Sequence, residues 1–249
     1  MRKIKLLLEY EGTRYNGWQI QPNGNSIQET LETKLEKITR KPTRVIGSGR
    51  TDSGVHAEGQ VAHFQTASAM KPRELLKALN SLLPPDIVVK KVEEVAPDFH
   101  AQLSATRKTY RYTILNRDYP SALLCRQSHY INSPLNVTAM RKAARCLVGR
   151  KDFKSFQGSG CSAKTTMREI YRLSISKKDD FIRITVDGSG FLKFMVRNIV
   201  GTLIEIGWGK WPPEQMKAIL KARNRRLAGP TAPSRGLCLV KVVYGKKSF

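Results

Sequence analysis

Residues 3–10 alternate, with Ile4, Leu6, Leu8 and Tyr10 on one side and Lys3, Lys5 and Glu9 on the other. That is the period of a half-buried strand. A Gly- and Asn-rich stretch through Gly24 reads as a loop. Ser26 and Glu29 have capping-box spacing, and behind them Ile27, Leu31, Leu35 and Ile38 form one helical stripe, which Pro42 ends. A short strand is expected near 43–47, then a polar turn from Gly47 to Gly54, then a strand over 59–66. Residues 71–83 predict a helix with Pro72 in its first turn and Leu75, Leu76, Leu79 and Leu82 inward, and 86–95 predict a strand. Further on, 104–116 reads as a strand and 138–148 as a helix with Met140, Ala144 and Leu147 on one side. Strands over 168–177 and 181–187 pair through Lys178-Asp179-Asp180. An apolar helix over 190–206, an amphipathic one over 212–223 and a final strand over 237–244 complete the pattern.

The element order of the first half is βαββαβ, the ferredoxin-like arrangement, and the second half repeats it in order but not residue by residue. The expected fold is α+β: two ferredoxin-like units side by side, with mainly antiparallel sheets and a cleft between them. Ala96-Pro97-Asp98 interrupts the periodicity, so a boundary is expected near 96–106, dividing the chain into domains 1–104 and 105–249. The last residues, Gly245 to Phe249, are expected to fray.

Charge changes the picture most. Lys plus Arg number 44 against 20 Asp plus Glu, a formal net charge of +24. A field of that sign concentrates polyanions, and each phosphate contact releases counterions, so nucleic acid is the leading partner. A generally basic surface is the plainer alternative. Hydrophobic residues make up 40%, and no apolar run approaches the roughly 20 residues that span a bilayer. The N-terminus reads as a strand rather than a signal peptide, which places the protein in the cytoplasm. Cys125, Cys146, Cys161 and Cys238 are scattered, as are His56, His63, His100 and His129. Neither a disulfide framework nor a metal site is expected. GxxxxGK[ST], GxGxxG and HExxH are missing, so no cofactor is expected.

Three stretches could carry chemistry. Gly47 to Gly54, GSGRTDSG, places Arg50 and Asp52 among three glycines. It is either a rigid loop presenting a carboxylate or an ordinary turn, because Asp, Ser, Thr and Gly favour turns for local reasons. The apolar helix expected over 190–206 has Arg197 in its middle. A buried arginine wants an anion. Asp52 is the candidate partner, held ionised by the adjacent cation; an RNA phosphate or a route to water at the helix edge are the alternatives. On the strand Ala105 to Tyr112, Lys108, Tyr110 and Tyr112 share one face and Arg107 and Arg111 the other. Such interleaving suits bases and phosphates, or equally a strand at a core edge. Basic clusters at 151–154, 164–168 (with Lys164 and Arg168) and 223–226 read individually as solvated faces.

Taken together, GRTDSGVHAEGQVAHF at 49–64, Gly17-Trp18-Gln19, Gln21-Pro22-Asn23-Gly24, Asp98-Phe99-His100-Ala101, Ala105 to Tyr112, Asp152-Phe153, Phe191 to Gly201 and Gly236-Leu237 closely resemble the tRNA pseudouridine synthase A family. The matches run in family order over almost the whole chain, with small differences at Ser53 and Glu58. The resemblance implies a cofactor-free, metal-free homodimer that isomerises uridines at positions 38, 39 and 40 of the tRNA anticodon stem-loop. It puts Asp52 on the family's essential aspartate, Tyr110 on its active-site tyrosine and Arg197 on its basic partner. It puts Arg50 on the arginine that helps displace the target base, and Leu237 on an apolar pocket residue. Arg107, Lys108, Arg111, Lys164 and Arg168 are the expected RNA contacts. A non-catalytic RNA-binding protein on the same fold, or a synthase with another RNA target, are the competing readings.

Overall fold

The computed structural model describes residues 1–22 and 24–245. Asn23 and the expected fraying at 246–249 lie outside the described residues. Two compact units emerge: Met1–Thr106 together with the chain from Leu239 on, and Arg107–Cys238. The architecture is α+β with largely antiparallel strand pairing, as the sequence pattern predicts.

The first unit runs β1 (Arg2–Tyr10), α1 (Ile27–Thr39), β2 (Ile46–Gly47), β3 (His56–Thr66), α2 (Pro72–Leu82) and β4 (Ile87–Val95), with a 3-10 turn over Gly12–Arg14. It is joined by β10, which begins at Leu237 and ends at Tyr244. The strand order is β4-β1-β3-β10, with β2 also on β3. β1 pairs antiparallel with both neighbours, Leu6 facing Ala62 on one side and Val92 on the other. The alternating side chains Ile4, Leu6, Leu8 and Tyr10 are at most 2% exposed. They share the core with Leu31, Leu35, Leu75 and Leu79. Their polar neighbours form ion pairs: Lys5 Nζ lies 2.8 Å from Glu93 Oε2, and Lys90 Nζ 3.0 Å from Glu9 Oε2. Hydrogen bonds from Lys5 and Lys91 hold the Glu93 carboxyl below its usual range.

α1 begins where the cap predicts, with Ser26 Oγ accepting from the Glu29 N–H at 3.1 Å. It ends at Arg40, whose φ of 58° is left-handed. α2 departs from expectation at its end. Leu82 is 40% exposed, and Leu83 goes inward in its place. The helix stops at Leu82, and the extended backbone of the next residue turns its side chain into the core.

The second unit contains β5 (Ala105–Asn116), β6 (His129–Ile131), α3 (Val137–Ala144), β7 (Gly149–Asp152), β8 (Met167–Lys178), β9 (Phe181–Gly188), α4 (Met195–Gly207) and α5 (Gln215–Ala222). Its strand order is β5-β9-β8-β7, with β6 parallel to β5. The β8–β9 hairpin turns through Asp179, whose φ of 53° is left-handed. α3 is shorter than the pattern predicts, because its last turn tightens into a 3-10 turn over Arg145–Leu147. α5 is also shorter; Arg223, at φ 51°, closes it.

The largest correction concerns α4, expected from 190 and starting at Met195. Phe194 takes a left-handed φ of 61° and cannot continue a helix backward. Gly158 permits this arrangement. Its N–H donates to Lys193 O at 2.8 Å, and a Cβ there would come within 2.4 Å of the Phe194 ring. Arg197 therefore lies in the first turn of α4, not its middle.

Candidate active site

The candidate residues named from the sequence fall in both units, and each unit builds its own. In the first, the loop after β2 presents Asp52, half-buried, beside an exposed Arg50 and a buried Thr51. Its backbone is fastened along its whole length. Ser48 N–H donates to Val61 O at 2.7 Å, Trp18 N–H to Thr51 O at 3.1 Å, and Gly54 N–H to Tyr15 O at 3.2 Å. A turn closes from Val55 N–H to Asp52 O at 3.1 Å. Gly54, at φ 73°, takes the third place of that turn, where glycine alone is unstrained. Gly17 is required for a second reason. At φ +83°, a Cβ would stand 2.4 Å from Thr51 O.

Beneath the loop lies a chain of polar side chains. Gln60 Nε2 donates to Gly49 O at 2.9 Å and to Tyr10 Oη at 3.3 Å. Tyr10 Oη lies 2.8 Å from Thr51 Oγ1. Both are hydroxyls, and either can donate in this bond. Ser48 Oγ donates to Gln60 Oε1 at 2.7 Å. Trp18, 2% exposed, supports Gly47, where a Cβ would come within 2.5 Å of the indole. Asp52 thus projects from a backbone with little freedom to move. Sequence reasoning missed this layer: Tyr10 looked like the last core residue of an alternating strand, and nothing local marked Gln60.

The two histidines of this segment accept backbone hydrogen bonds. His56 Nδ1 accepts from Gly12 N–H at 3.0 Å, and His63 Nδ1 from Ala101 N–H at 3.2 Å. Burial, with His100 and Lys3 nearby, pushes His63 down to about 4, so it is neutral at pH 7. Among the described residues, no group of three His, Cys, Asp or Glu could hold a metal ion.

In the second unit, β5 supplies Tyr110, 8% exposed and edge-on to Phe191 with ring centroids 5.3 Å apart. Leu237 is 4% exposed. Arg197 is half-buried. Its Nε donates to Ala232 O at 2.7 Å, and its guanidinium lies 5.1 Å from the centre of the Phe194 ring.

The expected RNA contacts separate into two groups. Lys108 is half-buried; burial, then the Arg168 charge, lowers its ammonium to about 8. Burial also lowers Arg168, whose Nη1 donates to Thr165 O at 2.9 Å. The structure therefore brings Lys108 and Arg168 into electrostatic contact. On the opposite face of β5, Arg107 is ion-paired with Asp187 at 3.2 Å and lies over Tyr171 at 4.9 Å. Arg111 is half-buried and Lys164 exposed.

Within the first unit the carboxylate is rigidly presented, and within the second a buried tyrosine, a buried leucine and a half-buried arginine are the candidate residues. Comparison with known proteins gives this a name. The family model described as tRNA pseudouridine synthase matches residues 7–103 and 143–245. The tRNA pseudouridine synthase A of Geobacter sulfurreducens is 49% identical over 244 residues, covering 98% of this chain and 100% of that protein. That of Syntrophotalea carbinolica is 46% identical, covering 98% and 97%, and that of a Thermoanaerobacter species 45%, covering 98% and 100%. The chain belongs to the tRNA pseudouridine synthase family, isomerases that act on uridine in tRNA.

Proposed function

We propose that the protein converts uridine to pseudouridine at positions 38, 39 and 40 of the tRNA anticodon stem-loop, with Asp52 as the nucleophile. The observation that carries the reading is the fastening of the Asp52 loop, within a chain that matches the family over nearly its full length. The reaction breaks N1–C1′, turns the uracil and forms C5–C1′; the proton leaving C5 balances the one gained at N1. Substrate and product are isomers, so the step needs neither an oxidant nor a group donor.

In this reading Asp52 attacks the ribose or the base. Tyr110 stacks on the uracil and assists proton loss at C5, and Leu237 packs against the base. Arg50 fills the space the flipped nucleotide leaves, which offsets part of an unstacking cost of a few kcal/mol. Arg197 is the basic residue of the substrate site, and a cation beside a carboxylate favours its ionised form. Arg107, Lys108, Arg111, Lys164 and Arg168 take tRNA phosphates. The protein works as a homodimer in the cytoplasm; no described helix is long and apolar enough to cross a membrane.

The test is tritium release from tRNA carrying 5-tritiated uridine, with pseudouridine mapped by position. Wild type is expected to release tritium at 38–40 and Asp52→Ala to release none while still binding tRNA. Pseudouridine at other positions would refute the target. Loss of binding with Asp52→Ala would make Asp52 structural. Binding by the wild type without release would favour a non-catalytic RNA-binding role.

A further inference from the structure

Arg197 is held by a carbonyl in the irregular segment Ala228–Pro233, so its direction depends on what holds that segment. The contact is reciprocal: Arg197 Nε donates to Ala232 O at 2.7 Å, and Ala232 N–H donates to Arg197 O at 3.2 Å. The segment lies directly on α4, where a Cβ on Gly201 would fall 1.7 Å from Pro230 O. Gly229 N–H donates to Thr202 Oγ1 at 3.0 Å. Beyond Ala232, Pro233 O accepts from Tyr112 Oη at 2.9 Å.

Arg225 fastens the other end. Its Nη1 donates to Ala228 O at 3.2 Å and Gly229 O at 2.9 Å, and its Nη2 to Asn198 Oδ1 at 3.0 Å and Thr231 Oγ1 at 3.1 Å. Thr231 Oγ1 donates to Asn198 Oδ1 at 2.6 Å, and Asn198 Nδ2 to Phe156 O at 2.8 Å. Asn198 is the residue after Arg197 on α4 and is completely buried. These four acceptors of Arg225 are neutral oxygens, and burial lowers the guanidinium pKa. A charge kept half-buried against carbonyls and a hydroxyl suits a rigid fork better than a flexible point charge.

We propose that Arg225 is a positioning residue for the isomerisation. Acting through Asn198, Thr231 and the strap Ala228–Ala232, it fixes the direction in which the Arg197 guanidinium points. The proposal rests on the substrate-site role given to Arg197 above. Bound through Nε to a fixed carbonyl, Arg197 can offer its two terminal nitrogens along only a narrow set of directions. If the strap moves, so does the carbonyl, and a misplacement approaching 1 Å can cost about 100-fold in rate.

The experiment measures single-turnover pseudouridine formation at saturating tRNA, tRNA affinity and thermal unfolding for Arg225→Ala, Arg225→Lys and Arg197→Met. Arg225→Ala should lose about 10- to 100-fold in rate, well below its unfolding temperature, with affinity changed less than about twofold. Millimolar guanidinium ion should restore part of that rate. Arg225→Lys should be impaired and gain nothing from guanidinium. Thr231→Val, which removes the hydroxyl that accepts from Arg225 and donates to Asn198 while keeping the side-chain volume, should lose rate in the same direction by several-fold, and it serves if Arg225→Ala does not fold. A normal rate for Arg225→Ala alongside an impaired Arg197→Met would overturn the positioning role alone. A normal rate for Arg197→Met would overturn the role of Arg197 and the proposal with it. Rate and affinity falling together in Arg225→Ala would make Arg225 an RNA contact and sink the proposal.

Discussion

The loop that presents Asp52 and the helix that presents Arg197 fix a charged side chain by opposite means. In the loop the backbone is irregular, and the constraint falls on it: Gly17 and Gly47 let neighbouring chain and rings approach, Gly54 takes a left-handed turn position, and Tyr10 and Gln60 tie the loop from below. In α4 the backbone is a regular helix, and the constraint falls on the side chain through a strap held by Arg225, Asn198 and Thr231. A backbone constraint is compact in sequence, because consecutive residues must all conform. A side-chain constraint can be assembled from distant positions, because only the final contacts matter.

The most damaging way to probe this contrast is to add a single methyl group on each side. Gly201→Ala drives a Cβ into Pro230 O, a backbone atom that can yield only if the strap lifts. Gly17→Ala combines a clash with Thr51 O and a left-handed backbone. Each should cost about 1–3 kcal/mol in urea unfolding. Each should also lower turnover more than tRNA affinity. If either variant unfolds like wild type and turns over normally, that side is not held by close backbone approach.

Tyr10→Phe is milder. It removes the hydroxyl that bridges Gln60 and Thr51, and should cost about 1 kcal/mol of stability, with a smaller fall in turnover than Gly17→Ala. An unchanged urea midpoint would mean the polar layer adds nothing to the loop.

The smallest expected effect is on tRNA affinity. The Lys108 ammonium titrates at about 8 because burial and Arg168 disfavour its charge. It is protonated at pH 7 and largely neutral at pH 9, and phosphate binding would draw the proton back. Affinity should therefore weaken a few-fold as pH rises through about 8, beyond the general salt-sensitive attraction. Lys108→Gln should flatten that dependence. A pH slope unchanged in the variant would remove Lys108 from the phosphate contacts.

The same contrast explains what could be read from the chain. The alternation of β1, the cap and stripe of α1 and the β8–β9 hairpin all stand in the structure, since their signals are local and repeat over many residues. β6 and β7 have three and four residues, too few for a period to show, and the sequence pattern misses both. The start of α4 is misplaced because Phe191, Leu192 and Phe194 are as apolar as a helix requires, while the left-handed turn at Phe194 depends on Gly158, far away in sequence. At the candidate site, GSGRTDSG is visible because the loop is continuous. The Tyr10–Gln60 layer and the Arg225 strap are invisible because their members are dispersed and each looks ordinary alone.

β10 carries a consequence for synthesis. It lies against β3, which ends at Thr66, yet its own residues from Leu239 on come more than a hundred positions later. At about 5–20 residues per second, roughly ten to thirty seconds of translation separate the two strands. Through that interval β3 has, among the described residues, only the two-residue β2 on that edge. An open edge of this kind is a template for pairing with another chain. The nascent protein therefore passes through a window of aggregation risk that closes only when β10 leaves the ribosome.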